Sequence, residues 1–378
     1  MTDLSPPGPT PGPTAGPAPG RSLWVDARAR LLANRAATVS AVLLMVMTLL
    51  CALGPLLLPN DFNTIHQNYT KVPPSLSAYP KPEMIGPALE KAAGRARIEV
   101  LDWAQDGAVI TATLTSAKPI DDRAARYFDR SDLFHDSRIE TLDDGRARLT
   151  ARVKQSWFFF GTDQNGRDLL ARTLIAGRVS LAIGLMAGLV AVAIGVVYGA
   201  VSGFVGGRTD EVMMRVVDIL YSLPFIFFVI MLVVFFGRNF LLTFLAVGAV
   251  MWLDMARIVR GQTLALKRLE FVQAAEALGV SRAGILRRHI LPNLLGPVII
   301  YMTLLVPTVI IMESFLSYLG LGVQEPMSSW GVLISQGAKT MPHANWLLYF
   351  PALFLISTLF ALNFLGDGLR DALDPKDR

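Results

Sequence analysis

Residues 270–293 read EFVQAAEALGVSRAGILRRHILPN, a stretch too polar to lie in a bilayer and too regularly patterned to be slack chain. Ala274, Ala275, Ala277 and Leu278 are strong helix formers, Gly279 is a natural C-terminal stop, and Ser281 is placed to cap a second helix. The expectation is a short helix, a turn and another helix, with small alanines leaving room for a knob-in-groove contact. On both sides the chain turns apolar, at about 239–256 before and 294–319 after. A patterned polar hairpin between two apolar runs of that length belongs to a protein that lies in a membrane and presents a contact element on one side of it.

Composition agrees. With 52% hydrophobic residues, 17% charged residues and a mean hydropathy of +0.45, the chain is too apolar for a water-compatible surface. The single cysteine, Cys51, sits in an apolar run, so no intrachain disulfide is available and it reads as a small buried hydrophobe. The formal charge of +5 does not point to nucleic acid, because the Lys and Arg residues cluster beside apolar runs rather than in a basic domain with interleaved aromatics.

Residues 1–35 are expected to form a disordered tail, since 6–20 is a Pro/Gly-rich run that cannot bury enough apolar area to order itself. A first span is expected at 36–58, followed by a polar inserted domain at 59–160. A cleavable signal peptide would have a shorter apolar core nearer the start and a small-residue cleavage site; here Pro55 and Leu56 to Leu58 follow instead. Within the insert, 97–103 and 108–115 alternate as half-buried strands do, and 138–142 with 147–153 flank an Asp-Asp-Gly-Arg turn at 143–146. Further spans are expected at about 179–203, 217–236, 239–256, 294–319 and 346–365, which makes six within a core of 161–365 and leaves 366–378 as a tail. Arg257, Arg260, Lys267, Arg268, Arg282, Arg287 and Arg288 crowd the loop 257–293, whereas the loop after span five carries only Lys339. By the positive-inside bias the former is cytoplasmic, both termini are cytoplasmic, and the insert faces outward.

Several features carry structure rather than chemistry. Gly184, Gly188, Gly195, Gly199 and Gly203 strip one face of span two, so another helix can approach closely. Asp254 and Asp218 have Arg257 and Arg215 at i,i±3 on their own helices. Trp330 and Trp346 flank external span ends, as interfacial anchors do. Glu313 lies deep in an apolar span, where an ionisable group either bonds a neighbouring helix or lines a solute path. Asp163, Arg167 and Asp168 introduce an amphipathic segment, 169–175, expected along the outer surface; they read either as a gate brace or as a solvated helix start. No phosphate-binding G-x-x-x-x-G-K-[ST] loop, clustered His pair or serine elbow is present, so neither ATP hydrolysis nor a metal site is expected in this chain.

Ala274-Ala275, Gly279 and Leu291-Pro292 resemble the EAA loop of ABC importer permeases, with Gln273 in place of the eponymous glutamate and His289 in place of an isoleucine. The resemblance extends from about Phe160 to Arg378. Gly161-Thr-Asp-Gln-Asn-Gly-Arg-Asp168, Val217-Asp218 with Leu223-Pro224, Ala256-Arg257-Ile-Val-Arg260-Gly261, Glu313 with Leu316–Gly322, Ser329-Trp-Gly331 and Gly366–Pro375 are similar to blocks of the dipeptide/oligopeptide permease C group. The insert of about 100 residues is longer than that group commonly has between its first two spans.

The resemblance implies an all-α polytopic protein with the type I ABC importer permease fold, six transmembrane helices and a small β-rich extracytoplasmic insert, in the bacterial inner membrane. It implies a non-catalytic subunit that pairs with a homologous permease around a path between spans three to six. ATP and Mg would be bound by one or two kinds of separate ATP-binding subunit, and an extracytoplasmic binding protein would deliver peptide. No cofactor, metal or nucleic acid is implied for this chain. Gln273, Ala274, Ala275, Glu276, Ala277, Leu278, Gly279, Val280, Leu291 and Pro292 would take the ATPase contact; Glu313, Asp163, Arg167 and Asp168 are the path or gate candidates. The alternatives are a non-peptide solute such as a nickel chelate or glutathione, an ion-coupled secondary transporter, which would need intramembrane relays beyond Glu313 and inverted repeats, and a membrane-anchored enzyme, for which the insert shows no constellation.

Overall fold

The computed structural model describes residues 23–142, 145–236 and 240–373. Helices α1 (Leu23–Ala33) and α2 (Arg35–Leu57) come first, joined at Asn34, whose side chain accepts from Ala37 N. The helix at 23–33 corrects the expectation of a disordered tail across 1–35, while the Pro/Gly-rich run lies outside the described residues. The insert supplies α3 (Pro82–Arg95), β1 (Glu99–Asp106), β2 (Val109–Thr115), α4 (Ala125–Asp129), β3 (Phe134–Thr141) and β4 (Arg146–Val153). Its antiparallel sheet has the order β1-β2-β4-β3. Alternate residues of β2 and β4, among them Ile110, Ala112, Leu114, Ala147, Leu149 and Ala151, point into one core with Ile85 and Leu89 of α3. Strand β1 was expected to be half-buried; as an edge strand it leaves all residues but Val100 exposed.

The remaining helices are α5 (Leu169–Val205), α6 (Gly207–Ser222), α7 (Phe225–Phe236), α8 (Phe240–Leu266), α9 (Glu270–Ala277), α10 (Arg282–Ile285), α11 (Leu291–Tyr318), α12 (Trp330–Thr340) and α13 (Trp346–Leu373), with one π-helical turn over Leu286–Ile290. Among the described residues, four helices are long and apolar enough to cross a membrane: α2, α5, α10 run through α11, and α13. The pair α6 and α7 qualifies together but is bent by 85°. This corrects the reading of 217–236 as one straight span. Pro224 disfavours helical geometry at the residue before it, and Leu223 accordingly takes extended values. Helix α8 lies where the remaining span is expected but is not among these helices, so four or, with the bent pair, five of the six expected spans are present among the described residues.

Helix α5 has 37 residues, about 55 Å at 1.5 Å per residue, well over a hydrocarbon core of about 30 Å. Its length absorbs 169–175, expected as a separate surface segment; Leu169, Ala171, Arg172, Thr173 and Leu174 are buried in the first turns of the span helix itself. The glycine stripe on α5 faces two partners rather than one. A Cβ at Gly195 would lie 2.6 Å from Met255 Cβ, and one at Gly199 2.3 Å from the Ala256 carbonyl, so the C-terminal half of α5 seats α8 backbone to backbone. Nearer the N-terminus of α5, a Cβ at Gly184 would meet Ile310 of α11 at 2.9 Å.

Candidate coupling surface and ionic brace

The 270–293 segment folds as its residues direct. Helix α9 ends in the paired bonds of a Schellman motif, Val280 N to Ala275 O at 3.1 Å and Gly279 N to Glu276 O at 3.0 Å. The left-handed turn falls on Gly279, φ +78°, which a Cβ would strain. Ser281 then caps α10, accepting from Gly284 N at 3.2 Å. Val272 and Ala275 pack into a core with Phe204, Met255, Ile285, Ile290 and Leu294. The burial of Ala275 separates it from Ala274: Gln273, Ala274, Glu276, Ala277, Leu278 and Gly279 are exposed, Val280 and Leu291 are half-buried, and Pro292 is exposed. Leu278 is 84% exposed at the tip, an apolar side chain presented to whatever docks there.

Gln273 donates to the Arg268 carbonyl at 3.3 Å, so its amide is turned back to the start of its own helix. The ring of His289 lies 6.3 Å from that of Phe271, an aromatic contact that supports α9 from below. Behind this knob, Arg260 makes a two-pronged pair with Asp210 at 2.6 Å for each bond, and Lys267 donates to the Phe204 carbonyl at 2.7 Å. Arg257 bonds Asp218 at 2.8 Å across from α8 to α6. Asp218 thus takes its ion pair from Arg257 on α8 rather than from Arg215 on its own helix.

At the opposite end of the bundle, Asp163, Arg167 and Asp168 are 4%, 5% and 2% exposed, which removes the solvated-helix-start reading. Asp168 caps α5, accepting from Leu170 N at 2.8 Å, and also accepts from the Asn60 amide at 2.9 Å. Burial pushes its carboxyl up from the ordinary value, while the bonds from Asn60 and the helix amides pull it back. Asp163 accepts from the backbone N of Asn165 and of Arg167, both at 2.8 Å, from Arg167 Nε at 2.8 Å, and from Arg172. Arg167 continues to Glu325, 158 residues away, at 2.8 Å; that bond holds the Glu325 carboxyl below its ordinary range. Arg172 and Glu325 belong to this cluster and were not anticipated. Only the Arg-Asp content of 163–172 hinted at it, because a pairing so distant in sequence leaves no local pattern.

Glu313 is fully buried on α11. One carboxylate oxygen accepts from Ser317 and from Ser329, both at 2.6 Å. Ser329 is the cap of α12, so the carboxylate ties α11 to the short helix that follows it rather than to a neighbouring span. Trp330 is no interfacial anchor: it is 0% exposed, with Nε1 donating to the Thr173 carbonyl at 2.9 Å and its backbone N to Ser180 at 3.1 Å. Trp346 is half-buried and donates to the Thr162 carbonyl at 3.4 Å. Among the described residues, no group of three or more His, Cys, Asp or Glu side chains could hold a metal.

A bundle of apolar spans with a helical knob at one end and a buried ionic brace at the other defines a class, the multi-pass membrane component of a transport assembly. The chain belongs to the family of binding-protein-dependent transport system inner membrane components, whose model matches residues 195–378; residues 22–74 match the N-terminal transmembrane domain of oligopeptide transport permease C. It is 47% identical over 359 residues, 95% of this chain and 93% of its relative, to the oligopeptide transport system permease protein OppC of Escherichia coli K12. The OppC protein of Haemophilus influenzae is 55% identical over 62% of this chain and 76% of its own length. The dipeptide transport system permease protein DppC of Bacillus subtilis is 48% identical over 58% and 69%. Among solved structures, the inward-facing MetNI methionine ABC transporter matches 55% of this chain and 96% of its own at 20% identity, with a TM-score of 0.45.

Proposed function

We propose that this chain is the permease subunit of an ABC importer that carries peptides across the bacterial inner membrane, with both termini and the 257–293 loop in the cytoplasm. The observation that carries the coupling role is the α9 knob: a short helix ended by a required glycine, anchored by Val272 and Ala275 and presenting Ala274, Ala277 and Leu278 to a partner. ATP with Mg is bound and hydrolysed on separate ATP-binding subunits docked there. A homologous second permease completes the path, and an extracytoplasmic binding protein delivers substrate to the braced outer face. ATP and the loaded binding protein each favour one of two global states, and this linkage is what coupling means here. The peptide assignment rests on the oligopeptide and dipeptide relatives and on the blocks from Gly161 onward.

The test is uptake by the complete importer in proteoliposomes. Labelled oligopeptide is taken up only with ATP inside and the binding protein outside, and glutathione or a nickel chelate in excess does not compete. Uptake of either of those in place of peptide overturns the substrate class; uptake driven by an ion gradient without ATP overturns the mechanism.

A further inference from the structure

Between α11 and α12 the chain forms a strap, residues 319–329, which leaves α11 exposed at Leu319 and Gly320 and is then held at two buried points with an exposed stretch between them. Gly322 and Val323 are buried at one end, Ser328 and Ser329 at the other, and Gln324 to Met327 between them are exposed. A Cβ on Gly322 would fall on the Ser317 side chain, so that end is seated tightly against α11. The far end is fixed by Ser329 on Glu313. Among the described residues, the exposed middle is tied to another element by one side chain. Glu325 bonds Arg167 at 2.8 Å, while Gln324 only reaches back to Gly322.

This tie is a hydrogen bond to one guanidinium and a longer ion pair to a second. Arg172, 2% exposed, gives one of its terminal nitrogens to Asp163 and, at 3.5 Å, to Gln336; the other has no hydrogen-bond partner and stands 3.8 Å, ion-pair distance, from the same Glu325 oxygen. A cavity of about 90 Å³ lies between them, lined by both arginines, Asp163, Glu325 and Gln336. A shift of about 1 Å would bring the carboxylate into range of Arg172 as well, and the opposite movement would free the middle of the strap altogether. The carboxylate therefore has room on either side of its present position, a buried donor stands on one side and water on the other, and Asp163 bonds both arginines in either case.

We infer that Glu325 is a positioning residue: acting through Arg167 and Arg172, it latches the strap 319–329 against the start of α5 and holds the outer end of the bundle closed. The strap is continuous with α11, which runs without interruption from the knob side of the bundle, and with α12, whose cap Ser329 shares Glu313 with α11. Release of the latch is thus an outward-opening step available to a protein docking on this face, and tightening it is the reverse. The direction rests on the importer reading above, in which the brace is external.

The experiment uses the complete importer in proteoliposomes carrying Leu333→Cys, which places a thiol on the cavity wall without removing a partner of either arginine; the native thiol, Cys51, is 1% exposed. A membrane-impermeant maleimide added from outside labels this thiol slowly when Glu325 is present. With Glu325→Gln added, the labelling rate rises by about fivefold, the factor that loss of one partly exposed ion pair produces in an opening equilibrium, and Glu325→Asp restores the slow rate. In the same vesicles ATPase activity without binding protein rises and its stimulation by loaded binding protein falls, with subunit co-purification unchanged. A labelling rate unaffected by Glu325→Gln overturns the latch. Faster labelling with unchanged ATPase behaviour upholds the latch and removes the coupling reading on which its role in transport depends.

Discussion

Replacing Gly279 isolates the geometry of the knob from its packing. Its φ of +78° places it in the left-handed region, and a Cβ built there meets nothing within 4 Å. A larger residue therefore clashes with no neighbour and acts only through its own backbone preference. A non-glycine residue held there costs about 1–2 kcal/mol, β-branched residues more, and Asn least. That is a factor of about 5–30 in the population of the ended helix. The two bonds that close the motif, from Val280 and Gly279, loosen with it, and Leu278 loses its fixed position at the tip. Gly279→Val is expected to lower peptide uptake by the reconstituted importer about tenfold or more, Gly279→Ala less, and Gly279→Asn least. The core residues Val272 and Ala275 are untouched, so co-purification with the ATP-binding subunits persists in all three. ATPase activity measured alongside uptake reports the coupling ratio, which falls in the same order. Wild-type uptake in Gly279→Val, or an Asn variant worse than the Val variant, refutes the reasoning.

Two further substitutions read the bundle itself. Gly199→Val drives a side chain into the Ala256 carbonyl and Val259 and is expected to lower the apparent melting temperature of the detergent-solubilised subunit, an overpacking cost of about 1–3 kcal/mol; Gly261→Ala, whose Cβ meets open space, leaves it unchanged. Glu313→Leu removes the acceptor shared by Ser317 and Ser329; because the two hydroxyls lie 3.4 Å apart and one can donate to the other, it is expected to destabilise by about 1–3 kcal/mol for the single hydroxyl left without an acceptor. Glu313→Gln keeps an acceptor and stays near wild type in both melting and uptake; full stability with lost uptake in the Gln variant would instead make the charge part of the solute path.

What the sequence discloses and what it withholds divides along the range of the interactions. The knob at 270–281 was readable residue by residue because helix propensity, the glycine stop and the serine cap all act within one or two turns. The hairpin of β3 and β4 was readable for the same reason, although Asp143 and Asp144 in its turn lie outside the described residues. The break between α6 and α7 had its signal in Leu223-Pro224, but the apolar run across it outweighed the proline. Its place beside a span end ranks Trp330 as an interface residue, because that position does not reveal that Gly177 leaves space for a buried indole. The pairs Asp210 with Arg260, Asp218 with Arg257 and Arg167 with Glu325 join residues 50, 39 and 158 positions apart. Charge pairing along one helix was the only geometry the sequence offered for them, and tertiary packing chose another.

Single cysteines placed on α9 test the central claim, that this surface takes force from an ATP-binding subunit, most directly. In the assembled importer, Leu278→Cys and Ala274→Cys, each bearing a short photoactivatable thiol-linked probe, are expected to cross-link to an ATP-binding subunit, with a yield that changes when nonhydrolysable ATP analogue is added. Trp103→Cys on the insert strand β1 is expected to give no such product. Absence of any ATPase cross-link from Leu278→Cys, in a complex that still hydrolyses ATP and transports peptide, would contradict the account.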